Sequence, residues 1–164
     1  KFRDKGVPID NLCNYDSAKE YIIQVLDVQT MIHSTLLFAT AKSMLKVMDG
    51  DLLNASKRTV QATKLSEDEL VAVIVADWSE ESEDKVVLQT KDGVFLKFPY
   101  AEIPKKKKSA LGVRGMKLSK DDLITNVYVM DAQNISSIMY KEKELEFNRL
   151  KLSKRDTKGT KVRR

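Results

Sequence analysis

The chain has 164 residues, 42% hydrophobic and 32% charged, with 29 Lys+Arg against 24 Asp+Glu, one histidine and one cysteine. That length allows one ordinary domain or about three supersecondary repeats, with enough apolar residues for a core. The composition excludes an internal disulfide and any catalytic or metal constellation built on His and Cys, and no apolar run approaches the ~18 residues of a membrane span.

Charge is divided unevenly. Residues 1–84 hold 9 Lys+Arg against 15 Asp+Glu, whereas residues 85–164 hold 20 against 9. Such asymmetry marks a polyanion-facing side, the competing reading being a solvated surface that only keeps the protein soluble. Cys13 suits a reducing cytoplasm and is expected as a small buried hydrophobe. Lys1-Phe2-Arg3-Asp4 leads into no apolar h-region, and without an initiating Met the sequence reads as a fragment.

In chain order, Gly6-Val7-Pro8-Ile9 and Leu12 are followed by turn chemistry at Asn14-Tyr15-Asp16-Ser17 and by a predicted strand, Tyr21 to Leu26. His33 falls in the next connection as an ordinary loop residue. Leu36–Thr40 and Met44–Met48 flank Ala41-Lys42-Ser43 as a hairpin, and Asp49-Gly50-Asp51 turns without the ligand series of a calcium loop. Lys57-Arg58 precede Thr59-Val60 and Leu65. Ser66-Glu67-Asp68-Glu69 then turns into Leu70–Val75, whose continuous apolar run predicts a strand buried on both faces.

The plan repeats. After the acidic linker Glu80-Glu81-Ser82-Glu83-Asp84, Val86–Thr90 and Val94–Phe98 flank Lys91-Asp92-Gly93, the clearest hairpin signal in the chain. Lys105–Lys108 and Gly112-Val113-Arg114-Gly115-Met116-Lys117-Leu118 follow. Ser119-Lys120-Asp121-Asp122 then turns into the strand Leu123–Val129. A third hairpin, Ile135–Tyr140 and Glu144–Phe147, surrounds a three-residue loop Lys141-Glu142-Lys143. Lys154-Arg155 and Lys158-Gly159-Thr160 follow, and the chain is expected to end before the closing strand. Gly6-Val7, Thr59-Val60 and Gly112-Val113 stand 53 residues apart, each six residues before a leucine. A period near fifty residues with about four strands per unit predicts an all-β, propeller-type repeat. The expected division is a partial blade over 1–33, blades over 34–83 and 84–133, and a partial blade over 134–164.

Lys5-Gly6-Val7-Pro8-Ile9-Asp10-Asn11-Leu12, the hairpin from Val87 to Phe98, and above all Gly112–Leu118 carry a resemblance that covers essentially the whole chain. Taken with their order and spacing, the sequence resembles the C-terminal β-pinwheel domain of the A subunit of bacterial type IIA topoisomerases, in gyrase and topoisomerase IV. The Gln-Arg-Arg-Gly-Gly-Lys-Gly box that tells gyrase from topoisomerase IV is not present, so both stay open. The resemblance implies blades that exchange strands, a parent domain of five or six blades, and duplex DNA bending around a basic rim. It also implies that catalysis lies elsewhere. The family's strand-cleaving tyrosine follows an arginine, whereas Tyr15, Tyr21, Tyr100, Tyr128 and Tyr140 follow Asn, Glu, Pro, Val and Met. No GxxxxGK[ST] loop is present. ATP and magnesium would be used by other domains or by the ATPase B subunit of the holoenzyme, an ATP-dependent isomerase, with no cofactor in this chain. Implied partners are double-stranded DNA, the B subunit, and the rest of the A subunit, in the cytoplasm at the nucleoid, with no membrane.

Surface loops carry Lys42, Lys57, Arg58, Lys91, Lys105, Lys106, Lys107, Lys108, Arg114, Lys117, Lys141, Lys143, Lys154, Arg155 and Lys158, the candidate DNA-binding residues. One basic loop per blade along an arc would track phosphates. No aromatics interleave with the lysines, which argues against single-strand stacking and for backbone contact with bending. About three blade-equivalents with swapped or frayed terminal strands are expected to bind DNA but wrap it weakly. The alternative reading is a propeller-like protein-interaction module without DNA wrapping.

Overall fold

The computed structural model describes residues 3–163; Lys1, Phe2 and Arg164 lie outside the described residues. The order of elements is a short helix α1 (Val28–Ile32), then β1 (Thr35–Thr40), β2 (Met44–Asp49), β3 (Leu70–Val75), β4 (Lys85–Thr90), β5 (Val94–Pro99), β6 (Val113–Arg114), β7 (Ile124–Val129), β8 (Ser137–Tyr140), β9 (Lys143–Glu146) and β10 (Thr160–Lys161). Two four-stranded antiparallel sheets have the orders β3-β1-β2-β6 and β10-β5-β4-β7, and β8 pairs β9 alone.

The two sheets are built by the same rules at equivalent positions. Leu36 faces Met48 and Val75, and Val86 faces Phe98 and Val129. The register with the third strand shifts at Ala39/Thr40 and again at Gln89/Thr90. Each hairpin turn is closed by a threonine hydroxyl, which accepts from the amide of Met44 in one and Val94 in the other, at 3.0 and 3.1 Å. Ser43 and Gly93 take the left-handed position that such a turn needs. At Gly93 a side chain is also excluded by space, since a Cβ would lie 2.0 Å from the Tyr140 hydroxyl.

Alternation along the strands puts apolar residues on both faces of each sheet. Leu37, Ala39, Leu45, Val47 and Ile74 of the first sheet meet Val86, Leu88, Leu96, Phe98 and Val129 of the second. The second sheet's far face buries Val87 and Phe95 against Leu145 and Phe147, with the Phe95 and Tyr140 rings edge-to-face at 5.1 Å. The first sheet's far face buries Leu36, Phe38 and Met48 under Leu26, Met31, Leu53 and Ala62. An all-β, propeller-type packing of blades results, as the repeat predicted.

Each four-stranded sheet is completed from the next unit. β6 comes from the second repeat but pairs β2, and β10 comes from the third but pairs β5. Strand exchange is therefore built into the chain.

Several expectations are corrected. Tyr21–Leu26 forms no strand. Its hydrogen bonds to β3 come from Tyr21 Oη and Gln24 Nε2, each 3.5 Å from a β3 carbonyl, and Leu26 packs in the same apolar cluster as Val73 and Val75. Its counterparts β3 and β7 each pair the first strand of a hairpin, and no hairpin precedes residue 21 among the described residues. β3 is not buried on both faces, because it is an edge strand and only Ile74 of it is fully buried. A two-residue strand does follow Gly159, β10, which is the counterpart of β6; no counterpart of the closing strands β3 and β7 follows it among the described residues. The third hairpin turns on Lys141 and Glu142 alone, both at positive φ, with Lys143 already in β9. Cys13 is half-exposed rather than buried. Residues 28–32 form a helix turn that the sequence reading placed in a connection, capped by Asp27, whose Oδ1 accepts from the Thr30 amide at 2.9 Å.

Candidate nucleic-acid interface

The candidate basic residues occupy two settings. Lys42, Lys91 and Lys141 sit at the tips of the three hairpins and are exposed. The others, except Lys143 on β9, lie on the long segments that follow each hairpin, Arg114 within β6 and Lys117 just after it. Those segments pass along the sheet edge, where β6 and β10 are outermost.

How the chain reaches that edge is set by its glycines. Gly112 has φ +92, and a Cβ there would lie 2.3 Å from the Leu45 carbonyl oxygen; Gly159 has φ +71 and stands in the same relation to Phe95, at 2.7 Å. Bare backbone lets the segment close on β2 or β5 and start the ladder. Gly115 then fits between the sheets, where its Cβ would meet Leu45 and Leu88. Met116 follows into the core, its amide donating to Ser43 Oγ at 2.8 Å.

Successive segments are bonded to one another. Arg58 donates from Nε to the Leu12 carbonyl and from a terminal nitrogen to that of Asn11, both at 2.9 Å. The Asp156 amide donates to the Gly115 carbonyl at 2.7 Å, and the Lys117 amide to that of Thr157 at 2.9 Å. Arg155 donates to the Glu102 and Arg114 carbonyls, at 3.1 and 2.6 Å. Arg114 pairs Asp156 at 2.5 Å, which holds the Asp156 carboxyl below its usual range through that hydrogen bond. Lys105 pairs Asp49 at 2.7 Å and lies over the Trp78 ring.

The fifteen residues therefore divide by duty. Arg58, Arg114 and Arg155 are committed to holding segments together, and Lys105 is anchored. Lys57, Lys106, Lys107, Lys117, Lys154 and Lys158 are exposed along the same edge, Lys108 is half-exposed beside them, and Lys143 is exposed on β9. Lys105–Lys117 carries six basic residues and no acid.

Sequence reasoning missed the two buried lysines, both inside strands. Lys46 is 1% exposed and Lys97 is 8% exposed. Lys97 Nζ donates to the Phe147 carbonyl at 2.9 Å. Lys46 Nζ donates to the carbonyls of Ala62, Lys107, Lys108 and Ala110, between 2.9 and 3.3 Å. Burial lowers the pKa of both ammonium groups. The signal was present: each is a charge inside an otherwise apolar strand, Met44-Leu45-Lys46-Val47-Met48 and Val94-Phe95-Leu96-Lys97-Phe98.

Among the described residues no group of three His, Cys, Asp or Glu could hold a metal ion, and no helix is long and apolar enough to cross a membrane. One open cleft is lined by Asp49 at the end of β2, Leu52 and Lys105–Ser109.

A family model described as the DNA gyrase C-terminal domain, beta-propeller, matches residues 34–77 and 84–129. The DNA gyrase A protein of Chlamydia pneumoniae is 31% identical over 125 residues, covering 73% of this chain and 14% of that protein. The solved C-terminal domain of DNA topoisomerase IV superposes with a TM-score of 0.83 at 21% identity, over 99% of this chain and 51% of that one. A DNA gyrase A C-terminal domain gives 0.74 at 20% identity, over 97% and 53%. At those identities the superpositions speak to the fold alone. The chain spans 14–16% of the length of the curated relatives it matches.

Proposed function

The chain belongs to the DNA gyrase C-terminal domain family of type IIA topoisomerase A subunits, and from that premise we propose that it binds duplex DNA by the phosphate backbone and bends it along the edge of its sheets. The observation that carries this reading is the series of segments 9–12, 58–62, 107–117 and 155–158: Arg58 joins the first two, the Lys46 ammonium of β2 donates to both the second and the third, and backbone bonds join the third to the last. A row of cations fixed relative to one another meets successive phosphates without paying to order each loop separately. Residues 105–120 and 150–163 contain no aromatic on which unstacked bases could stack, which favours duplex over single strand.

In this reading the domain acts within the A subunit of gyrase or topoisomerase IV, beside the ATPase B subunit, in the cytoplasm at the nucleoid. Strand cleavage and ATP hydrolysis with magnesium belong to other parts of that assembly, and this chain supplies DNA geometry. About two full sheets and a hairpin present a short arc, so the DNA it holds is bent but not fully wrapped.

The test replaces Lys105, Lys106, Lys107 and Lys108 together by Glu and measures retardation of duplexes of unrelated sequence. Exposed substitutions usually cost within about 0.5 kcal/mol of stability, so circular dichroism should be unchanged while affinity falls at least about tenfold, the loss of a few phosphate contacts. Unchanged affinity in a folded quadruple variant would favour a protein-interaction module whose lysines only solubilise it.

A further inference from the structure

The polylysine segment poses an electrostatic problem. Lys105–Lys108 are four consecutive cations, residues 105–120 contain no acid, and within the four lysines Lys105 forms an ion pair with Asp49. Mutual repulsion would spread such a loop through solvent. Its backbone instead leaves β2 after the Lys106 amide has donated to the Val47 carbonyl at 2.7 Å, and returns where Val113 pairs Leu45. Between those points the segment bows out around the one intervening residue of β2, Lys46.

Lys46 is buried at that point, with its ammonium 5.5 Å from the centroid of the Phe38 ring. Its three N–H donors meet four carbonyl oxygens: Lys108 at 2.9 Å, Ala110 at 3.1 Å, Ala62 at 3.2 Å and Lys107 at 3.3 Å. Ala62 belongs to the basic segment of the first repeat, the other three to that of the second. Carbonyls drawn inward leave the side chains of Lys106 and Lys107 exposed. The equivalent residue of the second sheet is Leu96, 2% exposed, and there segment 154–159 is held differently, by Arg155 and by the ladder to Gly115 and Lys117.

We propose that Lys46 is a positioning residue for DNA, its ammonium tying the basic segments of two successive repeats together and holding the polylysine loop with its lysines outward. This rests on the duplex-binding reading above and assigns to one buried residue the shape of its most basic loop.

The test compares the wild-type chain with Lys46→Met, which keeps length without donors, and Lys46→Arg, which keeps donors. Hydrogen exchange is followed at residues 106–113, and duplex affinity is followed against salt. Lys46→Met should exchange at least about tenfold faster in that segment while β4 and β5 are unaffected. Its log–log salt slope should be shallower by about 2, two phosphate contacts at roughly 0.9 each. Lys46→Arg should stay closer to wild type in both. A Lys46→Met chain with wild-type loop exchange, or with a wild-type salt slope, overturns the proposal. Should that variant lose β4 and β5 protection as well, the wild-type ammonium decides: nitrogen-15 spectra should show Lys46 Nζ protons exchanging far more slowly than those of Lys106, and equal rates overturn it. A wild-type salt slope near zero is a separate result, which sinks the duplex reading itself.

Discussion

Asp84 shows how the sheets treat negative charge at the ends away from the hairpin tips. It is half-buried beside Asp77 and Asp131, and its carboxyl is held above the ordinary 3.8, first by burial and then by Asp131. An acid whose folded pKa is raised keeps its proton to higher pH in the folded chain than in the unfolded one. Its ionisation therefore costs stability progressively as pH rises from 3.8 through the raised value, and the full penalty persists above it. Asp84→Asn should accordingly raise the thermal midpoint near pH 7, with the gain vanishing below pH 3.8, where both states are protonated. Midpoints equal at both pH values, or lowered near pH 7, would contradict this. Tyr100 shows the opposite economy: fully buried, with its phenol pushed far above its usual range by burial, it stays neutral and donates to the Ala76 carbonyl at 3.3 Å.

Among the elements, the two-residue strands β6 and β10 do more than their length suggests, because each closes a sheet from the neighbouring repeat. Gly112→Ala tests the first. Its φ of +92 and the Leu45 carbonyl 2.3 Å from a would-be Cβ leave no room for a side chain. The substitution should destabilise the chain by about 1–3 kcal/mol, the cost of forcing a residue into such backbone. It should also speed exchange at Arg114 more than in β4. Denaturant unfolding and hydrogen exchange check both, and an unchanged midpoint would show that β6 is dispensable. The hairpins were legible in the sequence because their information is local: Thr40 and Thr90, a left-handed residue three positions on, and apolar flanks. The swapped pairings were available only through resemblance, since two residues meeting a strand some seventy positions away leave no local pattern. Tyr21–Leu26 has a strand's composition but, among the described residues, no hairpin to pair with, and composition cannot supply one. The basic loops were legible as charge. Their division into arginines that tie segments and lysines left exposed was not, because it depends on which carbonyls happen to lie near.

Over the whole molecule, blades share cores and exchange strands, so the spacing between basic segments is fixed by the same contacts that stabilise the fold. That rigidity matters because duplex DNA resists bending: turning a 20–30 bp site through a large angle costs on the order of 1–6 kcal/mol. Contacts must continue along the edge to offset it. The central claim, that exposed lysines on tied segments hold the phosphate backbone, is tested most directly by the salt dependence of binding to a duplex of arbitrary sequence. Engagement of about six phosphates predicts that log K falls against log salt with a slope near −5, from roughly −0.9 per contact, and with the same slope for unrelated sequences. A slope near zero, or strong preference for one sequence, would contradict it.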